Sequence, residues 1–133
     1  MRVAEVMRTD LKTIAPDATV GEAVVSLADA HISALPVVDG RGALLGVLSS
    51  TDVLTAVAEA DDAERRGRLF DETLVKDLMT GRAMTVEPDA DIAEAARQML
   101  YVEVHRLFVT DDGKLVGVIS QTDIVGAVAT AKL

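Results

Sequence analysis

The chain contains no cysteine and no tryptophan, and among 133 residues it has one tyrosine and two phenylalanines. Without cysteine there are no disulfides, no thiol chemistry and no Cys-type zinc site. A reducing compartment fits that composition, and the cytoplasm is the expected location. Phe70, Tyr101 and Phe108 are the whole aromatic set, too few to stack successive bases of a single-stranded nucleic acid. The formal charge of −9 repels phosphate backbones, so nucleic acid is not an expected partner. No apolar run approaches the roughly 18 residues of a membrane span, and no charged segment followed by an apolar one opens the sequence. These absences predict a soluble, unsecreted protein that does not engage a membrane. What is abundant is hydrophobic residues, half of the total, enough for one core or two small ones that support each other.

The chain repeats itself. Pro16-Asp17-Ala18 recurs as Pro88-Asp89-Ala90, a shift of 72 positions, which also carries Met7 onto Met79, Thr13 onto Thr85, Leu35 onto Leu107 and Asp39 onto Asp111. The register slips by one in a Gly-rich turn, where an indel is tolerated. Beyond it Gly46-Val47-Leu48-Ser49-Ser50-Thr51-Asp52 meets Gly117-Val118-Ile119-Ser120-Gln121-Thr122-Asp123. A fixed register through so many positions marks a duplication. The division that follows is a first domain over 1–60, a charged, Gly-broken linker over 61–72 and a second domain over 73–133, with the linker able to continue the preceding helix.

Each copy reads alike. Thr19-Val20-Gly21-Glu22 has capping-box spacing and opens a helix over 20–30, with Val24, Leu27 and Ala28 at helical spacing; Asp91 opens its counterpart. The apolar runs 34–38 and 44–48 flank a Gly-rich turn, as do 106–110 and 115–119, predicting hairpins. A closing helix starts near Thr51 or Thr122. With short extended pieces at Thr13-Ile14 and Thr85-Val86, each copy is β-α-β-β-α, an α+β fold.

The strand-to-helix junction carries the chemistry. A helix that starts directly after a strand directs free backbone N–H groups and the positive end of its dipole outward, which suits an anion. Ser49 or Ser120 donates to a phosphate oxygen, and Asp52 or Asp123, acceptor-only when ionised, suits paired ribose hydroxyls. Gly46 and Gly117 remove a side chain where a flat base or sugar needs close approach. Ser-x-x-Asp is equally an ordinary capping box, and both readings stand together.

The duplicated pattern of Val-x-x-x-Met, Thr-Ile/Val-x-Pro-Asp-Ala, Leu-Pro-Val-Val-Asp and Gly-Val-Leu/Ile-Ser-x-Thr-Asp resembles cystathionine β-synthase (CBS) domains over nearly the whole chain. That resemblance implies two tandem β-α-β-β-α CBS domains packed through their sheets as a pseudo-twofold Bateman module. It also implies clefts for an adenine nucleotide (AMP, ADP, ATP or S-adenosylmethionine), a homodimer, and no required cofactor. By family role, Asp52 and Asp123 hold ribose, Ser49 and Ser120 meet phosphate with Thr51 and Thr122 close by, and Ile14 and Val86 lie against adenine. Backbone around Ser33, Ala34 and Leu35, and around His105, Arg106 and Leu107, reads the base edge. His105-Arg106 also resembles a phosphate-contacting pair in nucleotide-sensing relatives, whereas the first copy offers Ser33-Ala34. One strong and one weak site are therefore expected.

His31 and His105 form no metal cluster in sequence, and no base, nucleophile or metal ligand sits beside a carboxylate at a recurring position, so no enzyme is expected. His31 reads as an ordinary helix-end residue. The leading expectation is a stand-alone regulatory, energy-sensing module that signals to a protein partner in trans. The alternative is an interaction or scaffold protein with vestigial clefts.

Overall fold

The computed structural model describes residues 1–81 and 83–131. The elements run α1 (Val3–Val6), α2 (Val20–Ala30), β1 (Ala34–Val38), β2 (Leu44–Ser49), α3 (Ser50–Glu59), α4 (Ala63–Glu72), α5 (Val75–Leu78), β3 (Thr85–Val86), α6 (Ile92–Val102), β4 (Arg106–Asp111), β5 (Lys114–Ser120) and α7 (Gln121–Ala131). They form two compact units, one from Met1–Leu11 with Met84–Leu133, the other from Lys12–Ala83. The compact units thus cut the chain at other points than the repeats do. The segment that leads the first repeat is built into the unit that carries the second, and residues 73–83 are built into the unit that carries the first.

In the Lys12–Ala83 unit, β1 and β2 pair antiparallel with Ala34 opposite Ser49, and Ile14 adds a single parallel bridge to Val37. Alternation along these strands places Leu35, Val37 and Leu48 in a core with Ile14, Ala23, Leu27 and Val75. Each of the Leu, Ile and Val side chains contributes about 1.5–3 kcal/mol on burial. Thr19 Oγ1 accepts from the Glu22 N–H (3.2 Å), so the Thr half of the predicted capping box forms. The charged stretch read as a linker is structured. α3 stops at Ala60, and a separate helix, α4, begins with Asp62 Oδ1 accepting from the Arg65 N–H (2.8 Å). It lies so close to α2 that a Cβ on Gly21 would come within 2.8 Å of the Phe70 carbonyl oxygen.

The other unit repeats the plan. β3 pairs parallel and β5 antiparallel with β4, which makes a three-stranded sheet. Its core holds Val86, Ile92, Ala95, Met99, Leu107, Val109, Ile119 and Ile124, together with Val3 from the start of the chain. Val3 is fully buried, and its N–H donates to the Ala90 carbonyl (2.8 Å). α2 and α6 end alike, on His31 (φ 52°) and Glu103 (φ 57°) in the left-handed conformation. His31 is thus a backbone cap, at a position where glycine is the usual choice.

Candidate functional site

Both strand-to-helix junctions are reciprocal capping boxes. At the first, the Asp52 N–H donates to Ser49 Oγ (3.1 Å) and the Ser49 N–H donates to Asp52 Oδ2 (2.9 Å). The Ser50 N–H donates to the Ser33 carbonyl (2.8 Å). The second matches it: Asp123 N–H to Ser120 Oγ (3.1 Å), Ser120 N–H to Asp123 Oδ2 (3.0 Å), and Gln121 N–H to the His105 carbonyl (2.9 Å). The expectation of several free amides at the helix start is therefore corrected. A helix leaves its first four N–H groups unpaired, and here the protein satisfies all but those of Thr51 and Thr122 among the described residues. What stays free for a guest at the first junction is the Ser49 hydroxyl hydrogen, since its oxygen is used only as an acceptor, and part of the Asp52 carboxylate; at the second, the Ser120 hydroxyl also serves the Asp123 carboxylate.

The glycines also serve the protein itself. A Cβ on Gly46 would collide with the Thr80 carbonyl oxygen and sit 3.0 Å from Met79 Sδ; one on Gly117 would lie 2.6 Å from Met7 Sδ and 2.9 Å from the Arg8 carbonyl oxygen. The close approach is that of the segment leading the other repeat, Met79-Thr80 at Gly46 and Met7-Arg8 at Gly117, not of a base or sugar. That segment pairs with β2 through Thr80 and Val47 (2.9 and 3.0 Å) and with β5 through Arg8 and Val118 (2.8 and 3.0 Å). Thr80 and Arg8 thus occupy equivalent places in the two units.

Here the junctions part. Arg8 Nε donates to Asp123 Oδ1 at 3.1 Å, and the Asp123 side chain is only 10% exposed while that of Arg8 is 67% exposed. Burial pushes the Asp123 carboxyl up, but the Ser120 amide, the Ser120 hydroxyl and Arg8 outweigh it and hold its pKa below the usual aspartate value. Among the described residues no cation pairs with Asp52, whose Oδ1 remains available. Sequence reading missed Arg8; its only signal was the mismatch of Arg8 with Thr80 in the repeat.

The remaining candidates fall into two groups. Ser33 and Ala34 adjoin the first junction, because Ala34 pairs with Ser49; His105 and Arg106 adjoin the second, because Arg106 pairs with Ser120. Ser33, Thr51, His105, Arg106 and Thr122 are exposed and Ala34 is half-buried. Leu35 and Leu107 are fully buried, so only their backbone can meet a guest. Ile14 and Val86 lie opposite Val37 and Val109, three residues along the strand from the junction pair, about 10 Å away at strand spacing. The structure therefore places them in the same sheet as the junctions but not against the carboxylates. Surface grooves of about 650 Å³ along α3 and α4, 430 Å³ beside Val86 and 280 Å³ between α2 and α3 take in neither Asp52 nor Asp123. Among the described residues there is no cluster of three or more potential metal ligands, and no helix is long and apolar enough to cross a membrane.

The CBS domain profile matches residues 3–59 and 75–130. The chloroplastic CBS domain-containing protein CBSX1 of Arabidopsis thaliana is 30% identical over 94% of this chain and 62% of its own length. The chain spans about six-tenths of the length of that and another curated relative. Among solved structures, CBSX2 of Arabidopsis thaliana in complex with AMP superposes with a TM-score of 0.83 at 30% identity, over 99% of this chain and 98% of that one. The CBS-domain containing protein ATU1752 from Agrobacterium tumefaciens gives 0.75 at 26% identity, over 96% and 98%.

Proposed function

This chain belongs to the CBS domain family, and from that premise we propose that it is a non-enzymatic, CBS-pair regulatory module that binds an adenine nucleotide and passes its occupancy to a protein partner in trans, as a homodimer in the cytoplasm. The observation that carries the reading is the twice-built junction, where a serine hydroxyl stands beside an aspartate carboxylate. A hydroxyl donor suits a phosphate oxygen, and a carboxylate acceptor suits ribose hydroxyls. The AMP complex of CBSX2, similar over nearly the full chain, supports adenylate as the ligand class. In this reading Ser49, Thr51 and Asp52 contact one ligand and Ser120, Thr122 and Asp123 the other. The exposed His105 and Arg106 meet phosphate, the backbone at 33–35 and 105–107 meets the base edge, and Ile14 and Val86 meet adenine.

A ligand that binds only the folded protein stabilises it, by about 2.7 kcal/mol at a hundredfold excess over Kd. Thermal-shift and calorimetric titrations with AMP, ADP, ATP and S-adenosylmethionine test this, and at least one is expected to bind and raise Tm. Silence from all four would leave the capping role as sufficient and favour assembly as the function. A monomeric mass in light scattering would remove the homodimer.

A further inference from the structure

The two junctions share one construction, and of the residues that differ between them Arg8 is the one that reaches the junction carboxylate. We infer that Arg8 is an internal competitor at the second junction: its guanidinium occupies the oxygen of Asp123 that a ribose would take, so that Asp52 provides the high-affinity site and Asp123 a gated one. This rests on the nucleotide reading above and adds to it which junction fills first and why.

The geometry is specific. In each junction one carboxylate oxygen is already committed to the serine N–H, at 2.9 Å for Asp52 and 3.0 Å for Asp123. Paired ribose hydroxyls therefore depend on the other oxygen. At Asp52 that oxygen has no partner among the described residues, whereas at Asp123 it accepts from Arg8 Nε at 3.1 Å. The backbone that presents the two side chains is equivalent, since Thr80 and Arg8 each exchange two hydrogen bonds with the residue after the strand glycine. A threonine at that place is too short to span the distance an arginine covers. The pairing is also asymmetric in exposure, 67% for the Arg8 side chain against 10% for Asp123. The arginine lies largely in solvent and covers the acid, so it can swing away when a ligand displaces it. A hydrogen bond between charged groups, one of them mostly solvated, sets the penalty for displacement at roughly tenfold in affinity.

The test exchanges the two residues. AMP is titrated calorimetrically into the wild-type chain, Arg8→Thr, Thr80→Arg, and each of these with Asp52→Asn or Asp123→Asn. The wild type is expected to bind one equivalent tightly, lost in Asp52→Asn and retained in Asp123→Asn. Arg8→Thr is expected to tighten the second equivalent roughly tenfold, and Thr80→Arg to weaken the first. An Arg8→Thr chain with both dissociation constants unchanged overturns the inference. So does one that binds AMP more weakly, as loss of a phosphate ligand would cause. Carboxyl NMR titration of Asp123 gives a readout without nucleotide: its midpoint should rise in Arg8→Thr, and an unmoved midpoint overturns the pairing itself. If AMP binds no variant while that midpoint moves, the nucleotide reading fails and takes the competitor role with it.

Discussion

At Ser49 and at Ser120 the chain makes the same corner twice, down to a reciprocal pair of hydrogen bonds of 2.9 to 3.1 Å. The corners differ in what the neighbouring strand-like segment contributes, Thr80 in one unit and Arg8 in the other. Duplication therefore conserves the backbone corner, which any copy needs in order to start its helix, and leaves the outward face of the carboxylate open to divergence. In the proposed reading the capping role and the binding role would use different oxygens of one side chain. On that reading a duplicated site could lose or gate its ligand without loss of fold.

The largest effect expected from testing this likeness concerns the strand glycines. Both Gly46→Ala and Gly117→Ala drive a methyl toward a backbone carbonyl, that of Thr80 more closely than that of Arg8, while the atom nearest to Gly117 is the flexible Met7 thioether. Overpacking of this kind costs about 1–3 kcal/mol, with Gly46→Ala at the upper end and Gly117→Ala below it. Urea denaturation of the two variants measures the gap, and equal losses would show the two segments to be equally rigid.

A smaller effect concerns Asp123 in acid. Asp123 has a folded pKa below its unfolded value, so its contribution is complete above the unfolded pKa, near 3.9, and is lost as pH falls through the folded one. Hydrogen exchange of amides in residues 84–131 should show this unit loosening across that acid range. Asp123→Asn should remove the pH dependence and lower stability at neutral pH by about 1 kcal/mol, because the Arg8 partner and part of the cap are lost. An acid profile unchanged by the substitution would contradict the assignment.

The smallest effect is shared by the two units. His31 and Glu103 cap α2 and α6 in the left-handed conformation, so His31→Gly and Glu103→Gly should each stabilise by about 0.5 kcal/mol. A loss of Tm in either would mean that the side chain makes a contact beyond capping.

Much of this was legible beforehand, for identifiable reasons. α2 runs over Val20–Ala30 as read, because Thr19 marks its start and Leu27 and Ala23 keep a helical period toward the core. Both hairpins fall where apolar runs flank Gly-bearing turns. The β-α-β-β-α plan and the family follow from those and from the duplication. The four-residue helices α1 and α5 could not be seen, since so short a run shows no period. α4 was hidden because Ala63–Glu72 is mostly charged and its packing against α2 depends on the missing side chain of Gly21. Gly46 and Gly117 were recognisable as places of close approach, but nothing local tells which chain segment approaches. The partner of Asp123 lies 115 residues away and on the far side of the duplication, where repeat logic points to the wrong unit.

That exchange of leading segments also sets an order of assembly. The Lys12–Ala83 unit is contiguous and can close as soon as it leaves the ribosome, as domains do during synthesis. The unit containing Val3 needs residues that are far apart in the chain, because Val3 bonds to Ala90 and shares a core with Ile124, and such distant closure is intrinsically slow. The first eleven residues therefore stay without their native partners until residues 84–131 have been made, and anything that holds this segment elsewhere delays the closing of that unit rather than of the contiguous one.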